Sequence, residues 1–114
     1  MENDTYLKWL TQLRKGYLEL CVLVILRQKH SSYGFEMLQL FHQAGLEINE
    51  GTLYPLLNRM QKSGWLVSNW ETPIDSGHPR RFYQLSKEGL ARLPDMLSTQ
   101  LDNQQSFEKL MELK

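Results

Sequence analysis

The chain has 114 residues, the length of one compact domain with little room for a second. Hydrophobic residues at 41% and charged residues at 23% match an ordinary globular protein and argue against wholesale disorder. Lys and Arg number 13 and so do Asp and Glu, a zero net charge that by itself argues mildly against a partner as acidic as nucleic acid.

The distribution of charge weakens that argument. Arg80, Arg81, Lys87 and Arg92 face only Glu88 between Gly77 and Arg92, whereas Asp95, Asp102, Glu108 and Glu112 outweigh Lys109 and Lys114 further on. A basic surface can therefore sit beside an acidic tail. The longest apolar run, Cys21 to Leu26, is far too short to span a bilayer. Met1-Glu2-Asn3-Asp4 carries acid where an export signal carries base, and a lone cysteine forms no internal disulfide, so the cytoplasm is the expected compartment. A chain this short buries a modest core, which makes a gain from dimerisation plausible.

In chain order, Leu7, Leu10, Leu13, Tyr17 and Leu20 recur at helical spacing, and Cys21 to Leu26 continues them. The β-branched residues of that run suit a strand as well, but continuity favours one helix from about Thr5 to Lys29. Gly16 inside it is expected to mark a close backbone approach. Ser31 or Ser32 can cap a second helix over Tyr33 to His42, with Gly45 ending it. Asn49 is the expected cap of a third helix, in which Leu53, Leu56, Leu57 and Met60 form one apolar stripe and Gly64 is the stop. Trp65 to Glu71 and Arg81 to Leu85 read as two strands around a polar tip containing Gly77, His78 and Pro79. Ser86 caps a last helix holding Leu90, Leu93, Leu97, Leu101, Phe107, Leu110 and Met111, and Pro94 is expected to kink or restart it.

This order, mainly α with a small β-hairpin, is that of a winged helix-turn-helix domain followed by a C-terminal helix. With its apolar stripe inward, the third helix turns Gly51, Pro55, Asn58 and Lys62 outward, flanked by Thr52, Tyr54 and Arg59. Such a face fits a major groove, where Asn pairs with adenine and Arg with guanine; it also fits a plain solvated helix surface. Arg80 and Arg81 at the base of the hairpin tip suit phosphate contacts, and alternation along a strand lets only one face a given phosphate.

Four blocks make a more specific pattern: Leu13 to Leu23, Tyr33-Gly34-Phe35-Glu36, Glu50-Gly51-Thr52-Leu53-Tyr54-Pro55-Leu56-Leu57-Asn58-Arg59-Met60, and Gly77-His78-Pro79-Arg80-Arg81-Phe82-Tyr83-Gln84-Leu85-Ser86. In these residues the chain resembles the PadR family of bacterial transcriptional regulators, in its small subclass with a single C-terminal helix. The resemblance implies a homodimeric, sequence-specific repressor on an inverted-repeat operator, released by a small-molecule effector. It divides the chain into a DNA-binding domain over residues 1–85 and a dimerisation helix over residues 86–114. It implies DNA contacts from Tyr33, Thr52, Tyr54, Asn58, Arg59 and Lys62, wing contacts from His78, Arg80 and Arg81, and backbone contacts from Arg14 and Lys15. Gly34 and Gly51 would permit close packing or close approach to the sugar-phosphate chain. The implied dimer interface joins Leu10, Leu13 and Tyr17 of one first helix to Leu93, Leu97, Leu101, Phe107, Leu110 and Met111 of the partner's last helix. Gln100 stands where some relatives carry a tryptophan that stacks on flat drugs, and His78 replaces the family's usual arginine.

Other residues suggest plainer roles. Cys21 reads as a small core residue, and Met37, Met60, Met96 and Met111 occupy core-like positions. Trp9, Trp65 and Trp70 read as core or interface anchors. His30, His42 and His78 lack ligand spacing, so no metal or other cofactor is expected, and no catalytic motif points to an enzyme. The alternative function is a winged-helix protein-interaction module without DNA binding, which the zero net charge keeps open.

Overall fold

A computed structural model describes residues 2–75 and 77–114. The elements run α1 (Glu2–Lys29), β1 (Ser32–Tyr33), α2 (Gly34–Gln43), α3 (Glu50–Lys62), β2 (Leu66–Glu71), β3 (Arg80–Leu85) and α4 (Lys87–Met111). The apolar run in α1 is helical, with Val22, Leu23 and Leu26 fully buried and Cys21, Val24 and Ile25 packed at the edge of the core. Burial holds the Cys21 thiol above its ordinary pKa, the direction opposite to that of a reactive thiolate.

Local signals set most boundaries. Gly45 and Gly64 both take positive φ, and each closes its helix with a paired turn. Leu46 N–H donates to Phe41 O beside Gly45, and Trp65 N–H donates to Met60 O beside Gly64. Asn49 Oδ1 accepts from Thr52 N–H at 3.0 Å, and Ser86 Oγ accepts from Gly89 N–H at 3.0 Å. His30, just past α1, is also in the left-handed region, at φ 68°. His30→Gly removes that Cβ penalty and should stabilise the chain by about 0.5–1 kcal/mol. Thermal unfolding should show a midpoint a few degrees higher; an unchanged or lower one would mean the imidazole offsets the backbone cost.

Several expectations are corrected. The hairpin is part of a three-stranded antiparallel sheet of order β1-β3-β2, because Ser32 and Tyr33 pair with Tyr83 and Phe82. Ser32 does not cap α2: it lies in β1, fully buried, and its hydroxyl donates to Glu36, while Tyr33 takes the cap position without a side-chain bond. α4 does not restart at Pro94. The carbonyl of Leu90, deprived of its helical donor, belongs to an exposed turn where water can serve it. At Gly16 a Cβ would meet nothing within 4 Å, so no close approach occurs there within the chain.

The core gathers Leu18, Leu23 and Leu26 of α1, Met37 and Phe41 of α2, the four apolar residues of α3, Leu66, Tyr83 and Leu93. Beyond it, the N-terminal half of α1 and the C-terminal half of α4 project. The radius of gyration is 16.3 Å, against about 13 Å for a compact domain of this length. Met111, expected in a core-like position, lies on this projecting part and is exposed. No helix of the described residues is long and apolar enough to cross a membrane.

Candidate nucleic-acid interface

α3 lies with Leu53, Leu56, Leu57 and Met60 buried, which leaves Gly51, Thr52, Pro55, Asn58, Arg59 and Lys62 exposed on the other side. Glu50 in the first turn and Arg59 and Lys62 in the last complement the helix dipole. The exposed middle is therefore free of acid and carries an amide, a hydroxyl and a guanidinium.

Tyr54 sits between the two faces. A Cβ on Gly34 would fall 2.4 Å from Tyr54 Oη and 2.6 Å from its ring carbons, so glycine at the start of α2 is what lets the ring lie there. Burial, then the charges of Glu50 and Tyr83, push the Tyr54 phenol above its ordinary pKa, further from the phenolate form. Gly51 differs: it is exposed, with only Asn49 Oδ1 near a built Cβ.

The wing supplies the second half of the surface, and it separates the two arginines. Arg80 lies over the Tyr33 ring, 4.6 Å from its centroid, and that ring meets Phe82 edge-on at 5.2 Å. A stacked guanidinium keeps its in-plane donors suited to a phosphate fork. Arg81 is turned the other way. Its Nε donates to Ser68 Oγ and its Nη2 to Gln61 Oε1, both at 2.9 Å, and its guanidinium lies over the buried Tyr83 ring. His78 is exposed near the tip, beside Gly77 at φ 69°.

Trp70 is not the core anchor that was one of its two expected roles: it is 67% exposed on β2, opposite Arg81 in the strand register. With Tyr33, Tyr54, Pro79 and both Arg80 and Arg81 it lines a groove of about 340 Å³ between the wing, α2 and α3. The signal was available in the alternation of β2, where Leu66, Ser68 and Trp70 share the face toward α3 and only Leu66 is deep enough to be covered. Arg14, half-buried, and Lys15, exposed, lie on α1 outside this groove.

The residues expected at a dimer interface divide. Leu13, Tyr17, Leu101, Phe107, Leu110 and Met111 are exposed, while Leu10 and Leu97 are half-buried. Leu93 is fully buried in its own chain and has no surface left for a partner, because it packs in the core where α4 leaves the sheet. Between α1 and α4 runs an open cleft of about 930 Å³, lined by Trp9, Tyr17, Met96, Gln100 and Phe107 among others.

Comparison with known proteins agrees with this geometry. The model of the transcriptional regulator PadR-like family matches residues 22–95. A PadR family transcriptional regulator from Eggerthella lenta superposes with a TM-score of 0.80 at 29% identity, covering 99% of this chain and 97% of that one. A Streptococcus transcriptional regulator gives 0.81 at 36% identity, over 90% and 99% of the two chains. The transcriptional regulator Rv3488 of Mycobacterium tuberculosis is 35% identical over 63 residues, a stretch that spans 57% of its length and 55% of this chain. With that match to most of its length and the winged fold in place, the chain belongs to the PadR-like family of transcriptional regulators.

Proposed function

We propose that the chain is a homodimeric, sequence-specific DNA-binding repressor that recognises an inverted-repeat operator and is released by a small-molecule effector. The observation that carries this reading is the pairing of the acid-free outer face of α3 with Arg80 stacked on Tyr33 at the neighbouring wing. In this division of labour Asn58, with Thr52 and Arg59, reads base edges. Arg80, Tyr33, Tyr54, Lys62 and His78 hold the sugar-phosphate backbone, and Arg14 and Lys15 serve the flanking phosphates. Residues 1–85 act as the DNA-binding unit. Residues 86–114 act as the dimerisation helix, and the aromatic-lined cleft between α1 and α4 receives the effector.

Base readers and phosphate contacts respond differently to salt and to sequence. Asn58→Ala should relax preference at one base position by about 1–3 kcal/mol and leave the salt dependence unchanged. Arg80→Ala should weaken all sequences alike and lower the slope of log affinity against log salt by about 0.9. Titrations of both variants against a selected duplex, its single-base variants and unrelated DNA, each over a salt series, check the assignment. Exchange of the two behaviours would reverse the roles of helix and wing.

A further inference from the structure

Gln61, Ser68 and Arg81 form a closed polar cluster between the recognition helix and the wing. Ser68 Oγ donates to Gln61 Oε1 at 3.1 Å and accepts from Arg81 Nε at 2.9 Å, while Arg81 Nη2 donates to the same Gln61 oxygen at 2.9 Å. All three side chains are half-buried, and Tyr83 floors the cluster with its ring 5.4 Å from the guanidinium carbon. The hydroxyl thus gives one bond and takes one, the amide oxygen takes two, and the guanidinium is engaged along one edge. Each residue comes from a different element: α3, β2 and β3.

We propose that this cluster is a positioning device, with Gln61 as its keystone, that fixes the outer half of the wing relative to the base-reading face of α3. Gln61 stands three residues after Asn58, so a bond made there acts about 4.5 Å along the helix from the base-reading amide. The root of the wing is already anchored by buried Leu66 and Tyr83, but Asn69, Trp70 and Glu71 are exposed, and Arg80 is only half-buried. A hinge between root and tip would let Arg80 and Trp70 swing away from the duplex. The cluster closes that hinge before DNA arrives, so binding does not have to order the wing. Arg81 in this scheme is a positioning residue, and Arg80 alone of the pair meets a phosphate. The inference rests on the DNA-binding reading above.

The test uses the full-length chain and a duplex carrying the sequence enriched from random DNA. Gln61→Ala and Arg81→Ala should each weaken binding about tenfold and leave the salt slope at its wild-type value. In the DNA-free protein, Gln61→Ala should speed amide exchange over β2 and β3 but not over α1. Gln61→Glu keeps an acceptor for both donors and should return amide exchange over β2 and β3 close to wild type, a rescue that loss of bulk stability would not give, while its added negative charge keeps DNA affinity below wild type. An Arg81→Ala slope lowered by about 0.9 would make Arg81 a phosphate contact and overturn the proposal. So would Gln61→Ala exchange and affinity indistinguishable from wild type while the wild-type chain binds its duplex. A wild-type chain that enriches no sequence would instead bring down the DNA-binding reading itself, and the positioning role with it.

Discussion

Gly89→Ala is expected to destabilise the chain by about 3 kcal/mol, a large part of the roughly 5–15 kcal/mol available to a small domain. Helix propensity alone gives the opposite sign, since alanine in a helix is better than glycine by about 0.5–1 kcal/mol. The structure decides between them. A Cβ at Gly89 would lie 2.2 Å from the backbone oxygen of Trp65 and 3.1 Å from its carbonyl carbon. That oxygen cannot easily move, because it accepts from Ser86 N–H at 3.0 Å, and the Ser86 hydroxyl is itself bonded to Gly64 O. The N-terminus of α4 is thus clamped to the turn after α3, and a methyl group would force them apart. Urea denaturation checks this: the midpoint should fall well below wild type, and a midpoint at or above it would show that the helix shifts without cost.

The second large effect concerns assembly. Leu101→Glu combined with Leu110→Glu should convert a dimer into a monomer with unchanged helix content. Both leucines are more than 60% exposed in the single chain, so charging them does not disturb its own core. Leu7, Trp9 and Leu13 on α1 and Phe107 and Met111 on α4 are similarly uncovered, an apolar surface that an isolated soluble chain rarely leaves to water. Fully burying a leucine is worth about 1.5–3 kcal/mol, and with roughly a third of each already covered, four lost per dimer amount to about 4–8 kcal/mol, enough to shift dissociation by several orders of magnitude. Sedimentation equilibrium of wild type and variant is the measurement. A variant that remains dimeric would move the interface elsewhere.

Where periodicity and local chemistry act alone, the chain is readable. The inward stripe of α3 and its outward Asn58 and Arg59 follow from 3.6-residue spacing, and the caps at Asn49 and Ser86 and the stops at Gly45 and Gly64 follow from side-chain type. What escapes reading depends on contacts between distant segments. β1 is two residues long, too short for any pattern, and exists because Tyr83 and Phe82 offer it a partner edge. Gly89 looks like a weak helix residue until Trp65 is placed beside it. Leu93 and Leu101 carry the same side chain on the same helix, yet one is sealed in the core and the other stands in solvent, because α4 outruns the domain it starts on. Alternation showed that Arg80 and Arg81 face opposite ways, but only the positions of Gln61, Ser68 and Tyr33 say which turns inward.

Selection of bound sequences from random duplex DNA by the full-length wild-type chain tests the central claim most directly. Two copies of α3 related by a two-fold axis should read half-sites about one helical turn, ~34 Å, apart. The enriched sequence is therefore expected to be a near-palindrome of that spacing, with Asn58→Ala relaxing one position in each half. Enrichment of no sequence would contradict sequence-specific DNA binding, and a tight site without dyad symmetry would contradict the dimer that presents the two helices.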